Sequence, residues 1–294
     1  MLTRRRFTKI FSGVLISGDS LIYQSFSLAQ ADPFIAAVIT VEKRLEARLG
    51  VAVMDTETEQ RWSYQAGQRF PMCSTFKIIA AAAFLAKVDK GEDSLSRKVV
   101  IDELNLVSYS PLTETRTGGV GMTMAEICEA AITLSDNTAG NTILESIGGP
   151  SGLTQFARAI GDQTSRLDRW ETQLNESAID DPRDTTSPWA MMETLQKLLF
   201  GSTLSPVSKT QLQSWMTDNK TGDAKLRAGL PSNWIVGDKT GGGANGTMAD
   251  VAFVLAPDRQ PVIVVVYMTE TTASFDDRNA GIADIARALK KALA

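Results

Sequence analysis

The sequence predicts a mixed α/β fold of the α+β kind, in which N- and C-terminal helices flank an antiparallel sheet and an all-α lobe is inserted. Three observations indicate this. After residue 31, a helix and two strands open the chain, and two strands and a helix close it. Helical periodicity dominates the stretch between these two groups. Strands joined by short turns are antiparallel neighbours, so both groups are expected to share one sheet.

The elements at the two ends follow from hydrophobic spacing. Residues 34–49 carry apolar side chains at helical spacing, and residues 51–55 and 61–65 have the pattern of paired strands. Two further strands are predicted at 250–255 and 262–268. The second is nearly all apolar, as expected for a strand covered on both faces. A closing helix places apolar residues on one stripe, namely 282, 285, 286, 289 and 293.

An all-α lobe is expected at residues 67–217, inserted into an α/β lobe formed by residues 32–66 and 218–294. Three helices are predicted in it, at residues 75–89, 122–134 and 151–160. A glycine–proline break is expected at 148–150, before the third helix, and one long loop is expected at 161–187. The loop is rich in Asp, Arg, Thr and Ser. Loops of this length are usually functional or disordered.

Composition limits the chemistry that the chain can perform. Its 294 residues are 43% hydrophobic and 22% charged, which is typical of a soluble globular protein. The absence of histidine excludes His-based triads and argues against zinc sites, so acid–base catalysis must rest on Lys, Glu, Asp or Tyr. The net charge of −4 does not indicate a nucleic-acid partner. Cys73 and Cys128 are expected to be buried free thiols.

Residues 1–31 have the pattern of a cleavable export signal. Three consecutive arginines at 4–6 precede a mildly apolar stretch, and the segment ends Ala29-Gln30-Ala31. The arginines followed by Phe7 are similar to a twin-arginine signal, with an ordinary Sec signal as the alternative. We therefore expect a periplasmic protein with no stable membrane association after export.

The first motif with catalytic potential is Ser74-Thr75-Phe76-Lys77. In a helix beginning near Ser74, residues three apart share one face, so the Lys77 amine would lie beside the Ser74 hydroxyl. A desolvated lysine can take a serine proton, and the helix dipole favours the negative charge that develops. By itself the motif is weak, because a helix cap followed by a solvated lysine has the same pattern.

Three further motifs are weak singly. In Ser135-Asp136-Asn137, a second hydroxyl could relay a proton and an amide could hold a carbonyl, although helix caps have this composition too. Residues 239–243, Lys-Thr-Gly-Gly-Gly, offer a cation, a hydroxyl and backbone N–H groups to a carboxylate substrate, with a flexible turn as the alternative. In the long loop, Glu171 and Asn175 could hold a water molecule, unless Glu171 is a solvated loop acid.

Taken together, the motifs resemble those of class A serine β-lactamases, which carry S-x-x-K, S-D-N and K-T-G. The similarity covers essentially the whole chain after residue 31, with supporting segments at 109–111, 121–123, 168–171 and 183–188. The resemblance implies an active site between the lobes, a small-molecule β-lactam substrate, and no metal or organic cofactor. A monomer is the default expectation.

The resemblance also implies how acylation proceeds. Ser74 would attack the lactam carbonyl, and the backbone N–H groups of Ser74 and Gly242 would form the oxyanion hole. Ser135 would pass a proton to the departing nitrogen. Whether Lys77 or Glu171 takes the Ser74 proton is left open, because both assignments are defended for the family.

Substrate binding and deacylation are implied in the same way. Glu171 and Asn175 would position the deacylating water, whereas Lys239 and Thr240 would bind the substrate carboxylate. Asn137 would orient Lys77 and the substrate amide. The implied substrate-binding set is Asn137, Asn175, Lys239, Thr240, Gly241, Gly242 and Tyr109. An ion pair between Arg169 and Asp184 would fix the long loop.

The sequence departs from common family patterns near the site. Thr172 follows Glu171 where members often have proline, which leaves the isomer of that peptide bond open. Met248 stands where some members have a carboxylate-binding arginine, with Lys225 or Arg278 as possible substitutes. Two departures concern glycines: Gly242 replaces a hydroxyl residue of many broad-spectrum members, and Gly243 replaces the cysteine that would pair with Cys73 in carbapenem-hydrolysing relatives.

Other functions remain as alternatives at this point. A D-alanyl-D-alanine peptidase shares the nucleophile and K-T-G elements, but it generally lacks a loop acid paired with asparagine. A β-lactam sensor that stays acylated usually follows a membrane anchor. A secreted structural protein would make all four motifs accidental. The sequence does not rank the classes of β-lactam as substrates.

Overall fold

A computed structural model describes residues 32–293 of the chain, and the predicted export signal lies outside this range. The helices of the described chain are α1 (Pro33–Leu45), α2 (Phe76–Asp89), α3 (Met124–Thr133), α4 (Asn137–Ser146), α5 (Gly149–Ala159), α6 (Pro188–Leu199), α7 (Pro206–Thr217), α8 (Leu226–Gly229) and α9 (Phe275–Ala292). The strands are β1 (Arg48–Asp55), β2 (Arg61–Tyr64), β3 (Phe70–Pro71), β4 (Lys98–Val99), β5 (Met122–Thr123), β6 (Thr185–Thr186), β7 (Ile235–Gly242), β8 (Met248–Leu255) and β9 (Val262–Thr269).

The central element is a five-stranded antiparallel sheet in the order β2-β1-β9-β8-β7. The N-terminal strands therefore pair with the C-terminal ones, and the predicted fold class is confirmed. Strand β9 lies in the middle and is buried along its whole length, as its continuous apolar sequence predicts. Strand β7 lies at the edge, which leaves one of its sides free of sheet partners.

Two apolar cores cover the two faces of this sheet. Along β9, Val264 and Val266 belong to the core shared with α1 and α9, whereas Ile263 and Val265 belong to the core shared with α2, α3, α4, α6 and α7. Because strand side chains alternate between faces, one strand supplies both cores. This packing fixes β7 relative to the helix that follows Ser74.

Several predicted boundaries are wrong, each for a local reason. Helix α1 ends at Leu45 and not at residue 49, because Glu46 takes a left-handed conformation and Leu49 pairs with Met268 in the sheet. The predicted break at residues 148–150 is confirmed only at Gly148, which takes a left-handed conformation between α4 and α5. Gly149 and Pro150 instead form the first turn of α5, where a proline needs no backbone N–H.

Helix α4 is an element that the sequence does not predict. Asp136 caps it by accepting a hydrogen bond from the Ala139 N–H at 2.9 Å. The same carboxylate accepts hydrogen bonds from the Thr113 N–H and hydroxyl, so it joins α4 to the segment before α3. Within the Ser-Asp-Asn motif, Asp136 is therefore a helix cap, and its neighbours Ser135 and Asn137 belong to the site described below.

The long loop is ordered by an ion pair. Arg169 Nε lies 2.6 Å from Asp184 Oδ2, in agreement with the expected pairing. The loop contains a short 3-10 turn at Gln173–Asn175, and its end pairs with β3 as strand β6. Both cysteines are buried free thiols, as predicted. Burial raises the pKa of the Cys73 thiol to about 12.

Candidate active site

Ser74 lies in a 3-10 turn, Cys73–Thr75, that leads directly into α2. The turn leaves Ser74 partly exposed, while Lys77, one turn later, is fully buried. Lys77 Nζ donates a hydrogen bond to Ser74 Oγ at 3.0 Å. The structure therefore brings the two side chains together as their spacing predicts.

Lys77 Nζ is surrounded by oxygen atoms. Besides Ser74 Oγ, it contacts the Ser135 carbonyl at 2.9 Å, Asn137 Oδ1 at 2.7 Å and Glu171 Oε1 at 3.0 Å. Burial lowers the pKa of Lys77, and the negative charge of Glu171 opposes this shift. Four oxygen neighbours favour the ammonium form, which donates hydrogen bonds and has no lone pair.

Glycine at position 140 makes room for this lysine. A Cβ on Gly140 of α4 would lie 2.8 Å from Lys77 Cε, closer than carbon atoms normally approach. A larger residue would therefore displace the amine from its oxygen neighbours. Gly140 could not be recognised from the sequence, because α4 is not predicted there.

Glu171 is held from several directions. Its side chain is completely buried, Oε1 lies 3.4 Å from Ser74 Oγ, and Oε2 accepts a hydrogen bond from Asn175 Nδ2 at 2.6 Å. Asn141 of α4 bonds to both backbone groups of Glu171, donating to the carbonyl at 3.1 Å and accepting from the N–H at 3.0 Å. The peptide bond from Glu171 to Thr172 is cis.

Asn141 was not predicted as a functional residue. It lies four residues after Asn137, so both side chains share one face of α4. A correct prediction of α4 would have placed it next to the long loop.

Ser135 contacts two lysines of the site, Lys77 and Lys239. Its hydroxyl accepts a hydrogen bond from Lys239 Nζ at 2.9 Å, and its carbonyl accepts the one from Lys77. Lys239 is fully buried, so desolvation together with the nearby charge of Lys77 places its pKa well below the usual range. The Ser135 hydroxyl therefore lies against one amine, Lys239, and the Ser135 backbone lies against the other.

The Lys-Thr-Gly motif forms the end of strand β7, so the flexible-turn alternative is wrong. A Cβ on Gly241 would lie 2.9 Å from the Met72 carbonyl, which explains why glycine is needed where β7 meets the Ser74 turn. Gly243 N–H donates to the Thr247 carbonyl on the inner side of the strand. Because successive N–H groups alternate in direction, the Gly242 N–H points out from the sheet edge towards the cleft.

The cleft beside Ser74 has a volume of about 390 Å³. Its lining residues are Ser74, Tyr109, Ser135, Asn137, Asn175, Thr221, Lys225, Thr240, Gly241, Gly242, Thr247, Met248 and Phe275. Tyr109 is 62% exposed, which places it at the rim. Three predicted residues, Lys77, Glu171 and Lys239, are absent from this lining. Lys77 and Glu171 lie behind Ser74, and Lys239 lies behind Ser135.

One end of the cleft is rich in hydroxyl and amine groups. The Thr240 and Thr221 hydroxyls lie 2.6 Å apart, and Lys225 lies over the ring of Phe275 with Nζ 5.4 Å from its centre. Arg278, the other predicted substitute for the missing arginine, packs on the same ring but is absent from the lining of the described cleft. Lys225 is therefore the cation available at this end.

The position of Gly243 bears on the absent disulfide. A Cβ on Gly243 would lie 2.8 Å from Cys73 Sγ. The two positions are adjacent in space, and Gly243 has no thiol to pair with Cys73.

Among residues 32–293, no group of three or more His, Cys, Asp or Glu side chains is arranged to hold a metal ion. Within the same residues, every helix is too short or too polar to cross a membrane.

Comparison with known proteins agrees with this geometry. The sequence model of the beta-lactamase enzyme family matches residues 31–293. The beta-lactamase AER-1 of Aeromonas hydrophila is 44% identical over 260 residues, covering 88% of this chain and 86% of the relative. The beta-lactamase CTX-M-8 of Citrobacter amalonaticus is 43% identical over 273 residues, covering 93% and 92%. A solved structure of an ancestral (GNCA) class A beta-lactamase superposes with a TM-score of 0.87 at 54% identity, covering 88% of this chain and 99% of that chain.

Proposed function

This chain belongs to the beta-lactamase enzyme family, and on that premise we propose that it hydrolyses the β-lactam amide of penicillins and cephalosporins through an acyl-enzyme on Ser74. The observation that carries the proposal is the position of Ser74 Oγ, 3.0 Å from Lys77 Nζ and 3.4 Å from Glu171 Oε1. Such turnover gives its host resistance to β-lactam antibiotics.

Acylation begins when Ser74 Oγ attacks the lactam carbonyl carbon. Glu171 accepts the hydroxyl proton, because the Lys77 ammonium has no free lone pair and serves as a hydrogen-bond donor. The N–H groups of Ser74 and Gly242 stabilise the negative carbonyl oxygen. The carbon–nitrogen bond then breaks, and the Ser135 hydroxyl, held by Lys239, gives its proton to the nitrogen. Ser135 regains a proton from the Lys77 ammonium, and Glu171 passes the proton that it took from Ser74 to Lys77 across their 3.0 Å contact, so Glu171 is again a carboxylate before deacylation.

Deacylation consumes one water molecule. Glu171 takes a proton from the water while the hydroxide attacks the ester carbonyl, and Ser74 leaves with its proton restored. Asn175 supports this step, since its Nδ2 holds Glu171 at 2.6 Å and its buried Oδ1 has no partner among the described residues. That oxygen is therefore available to accept a hydrogen bond from the attacking water.

This pairing separates the proposal from the two alternatives. A D-alanyl-D-alanine peptidase generally lacks a loop acid paired with asparagine, and a sensor that stays acylated has no need to activate water. The buried Glu171 carboxylate and Asn175 are placed for that purpose.

The substrate carboxylate binds at the end of the cleft that holds Lys225. Lys239 and Thr240 approach it from β7, and the Lys225 ammonium approaches from the opposite wall. Met248 supplies no charge there, so Lys225 takes over the role that an arginine has in some relatives. Tyr109 and Asn137 line the other end, where the amide side chain of the drug would lie.

The remaining parts of the proposal concern the whole chain. Residues 1–31 direct export to the periplasm, by the twin-arginine route, and the mature enzyme acts as a monomer. The boundaries of the inserted lobe are proposed at residues 67 and 217, and every residue of the core shared with α1 and α9 lies outside that range.

Hydrolysis of a chromogenic cephalosporin tests this function. The enzyme should turn over the drug without added metal and at the same rate in a chelator, because the proposed donors and acceptors all belong to the protein. Ser74→Ala is the matched control and should be inactive. Activity that disappears on chelation would contradict the mechanism.

A further inference from the structure

Two buried aspartates lie behind the carboxylate-binding end of the cleft. Asp238 on β7 and Asp250 on β8 are both completely inaccessible to solvent. Thr240 pairs with Asp250 and Asp238 pairs with Ala252, so the two carboxyl groups are diagonal neighbours on one face of the sheet. That spacing lets side chains on adjacent strands meet.

One oxygen of each carboxyl group accepts hydrogen bonds from a residue outside the pair. Asp238 Oδ1 accepts hydrogen bonds from the Arg227 guanidinium at 2.9 and 2.5 Å. Asp250 Oδ2 accepts one from the Leu226 N–H, at the first residue of α8, at 3.1 Å. The other two oxygens, Asp238 Oδ2 and Asp250 Oδ1, are buried and lack any donor among the described residues.

Both unpaired oxygens belong to this diagonal pair of side chains. Burial, followed by the charge of Asp238 and a hydrogen bond to its side chain, raises the pKa of Asp250 well above the usual range. Two acceptor oxygens cannot bond without a proton between them. One proton on Asp250 Oδ1, donated to Asp238 Oδ2, satisfies both atoms at once.

The surrounding charges indicate which group holds the proton. Arg227 forms a salt bridge with Asp238, with a guanidinium nitrogen 2.5 Å from Oδ1. No basic side chain of residues 32–293 forms a salt bridge with Asp250. The other charged groups near the pair are Lys225 on the cleft side and Lys239 on the opposite face of β7, and Arg278 lies beside Lys225.

We propose that Asp250 is a neutral carboxylic acid hydrogen-bonded to Asp238, and that it positions Lys225 for the substrate carboxylate. Asp250 holds the Leu226 N–H, and Lys225 is the preceding residue. With a proton on Asp250, the backbone of Lys225 is fixed while no second negative charge lies beside its ammonium. This inference extends the proposed function, because it concerns the site where the substrate carboxylate binds.

The spectroscopic test reads the proton directly. Infrared spectra of the enzyme at neutral pH should contain the C=O stretch of a protonated carboxylic acid, and Asp250→Asn should remove it. A spectrum in which that band is missing, or in which the variant keeps it, would overturn the proposal. This readout does not depend on turnover, so it stays informative even if the enzyme fails to hydrolyse β-lactams.

The kinetic test compares two substitutions of Asp250. Asparagine can donate to Asp238 through its amide and accept from Leu226 through its carbonyl, so its KM for a penicillin should stay near the parent value. Asp250→Leu leaves both partners unpaired and should raise KM about tenfold with little change in kcat. If Asp250→Asn raises KM as much as leucine does, the neutral acid is refuted. Should the leucine variant fail to fold, the infrared comparison and the asparagine KM decide the matter.

Discussion

Asn141 gives a sharp test of how Glu171 is positioned. The substitution Asn141→Ala removes both hydrogen bonds to the backbone of Glu171, at 3.1 and 3.0 Å. At about 0.5–1.5 kcal/mol for each bond, the free energy of unfolding should fall by about 1–3 kcal/mol. Because Ser74, Lys77 and the oxyanion hole are not touched, we expect acylation to be affected less than deacylation.

The kinetic magnitude follows from geometry. A shift of about 1 Å in a catalytic group costs about 100-fold in rate, so hydrolysis of the acyl-enzyme should slow by that order. Slower deacylation makes kcat and KM fall together, and stopped-flow measurements with a chromogenic cephalosporin should show a burst. The matched control is Glu145→Gln, one turn later on α4 at an exposed position, which should behave like the parent enzyme. A variant Asn141→Ala that deacylates at the parental rate would refute this reasoning.

Two further predictions concern the carboxylate-binding end of the cleft. Lys225→Met should raise KM for penicillins about tenfold or more with little change in kcat, because a charged hydrogen bond is lost. The control variant, Arg278→Met, should leave KM unchanged. Equal effects of the two substitutions in steady-state kinetics would show that Lys225 is misassigned. Because the pKa of Lys239 is far below the usual range, its charge should be lost at a pH where unfolded lysine is still protonated. The unfolded chain then binds more protons, so as pH rises through this window the free energy of unfolding should increase while KM also increases. Denaturant titrations and kinetics over the same pH window check both signs, and a KM that stays flat while hydrolysis continues would contradict the assignment.

Much of the site follows from spacing within single elements. Ser74 and Lys77 meet because a helix brings residues three apart together, and Glu171 and Asn175 meet across one short turn. The sheet was predictable because β8 and β9 are strongly apolar and joined by a clear turn.

The unpredicted features depend on tertiary contacts. Helix α4 contains Gly140 and several β-branched or amide residues, which lower helix propensity, yet the Asp136 cap and the buried side chains of Ile143 and Leu144 stabilise it. Asn141 could not be recognised without that helix. The pairing of Asp238 with Asp250 likewise depends on the register between two strands, which the sequence does not specify.

Intact-mass analysis of Glu171→Ala mixed with a penicillin tests most directly whether this carboxylate activates the water that frees the enzyme. We expect an adduct of one penicilloyl group on Ser74 that forms more slowly than in the parent enzyme and then persists. If the adduct forms at the parental rate, Lys77 and not Glu171 takes the Ser74 proton during acylation. Rapid disappearance of the adduct, with turnover close to that of the parent enzyme, would contradict the mechanism.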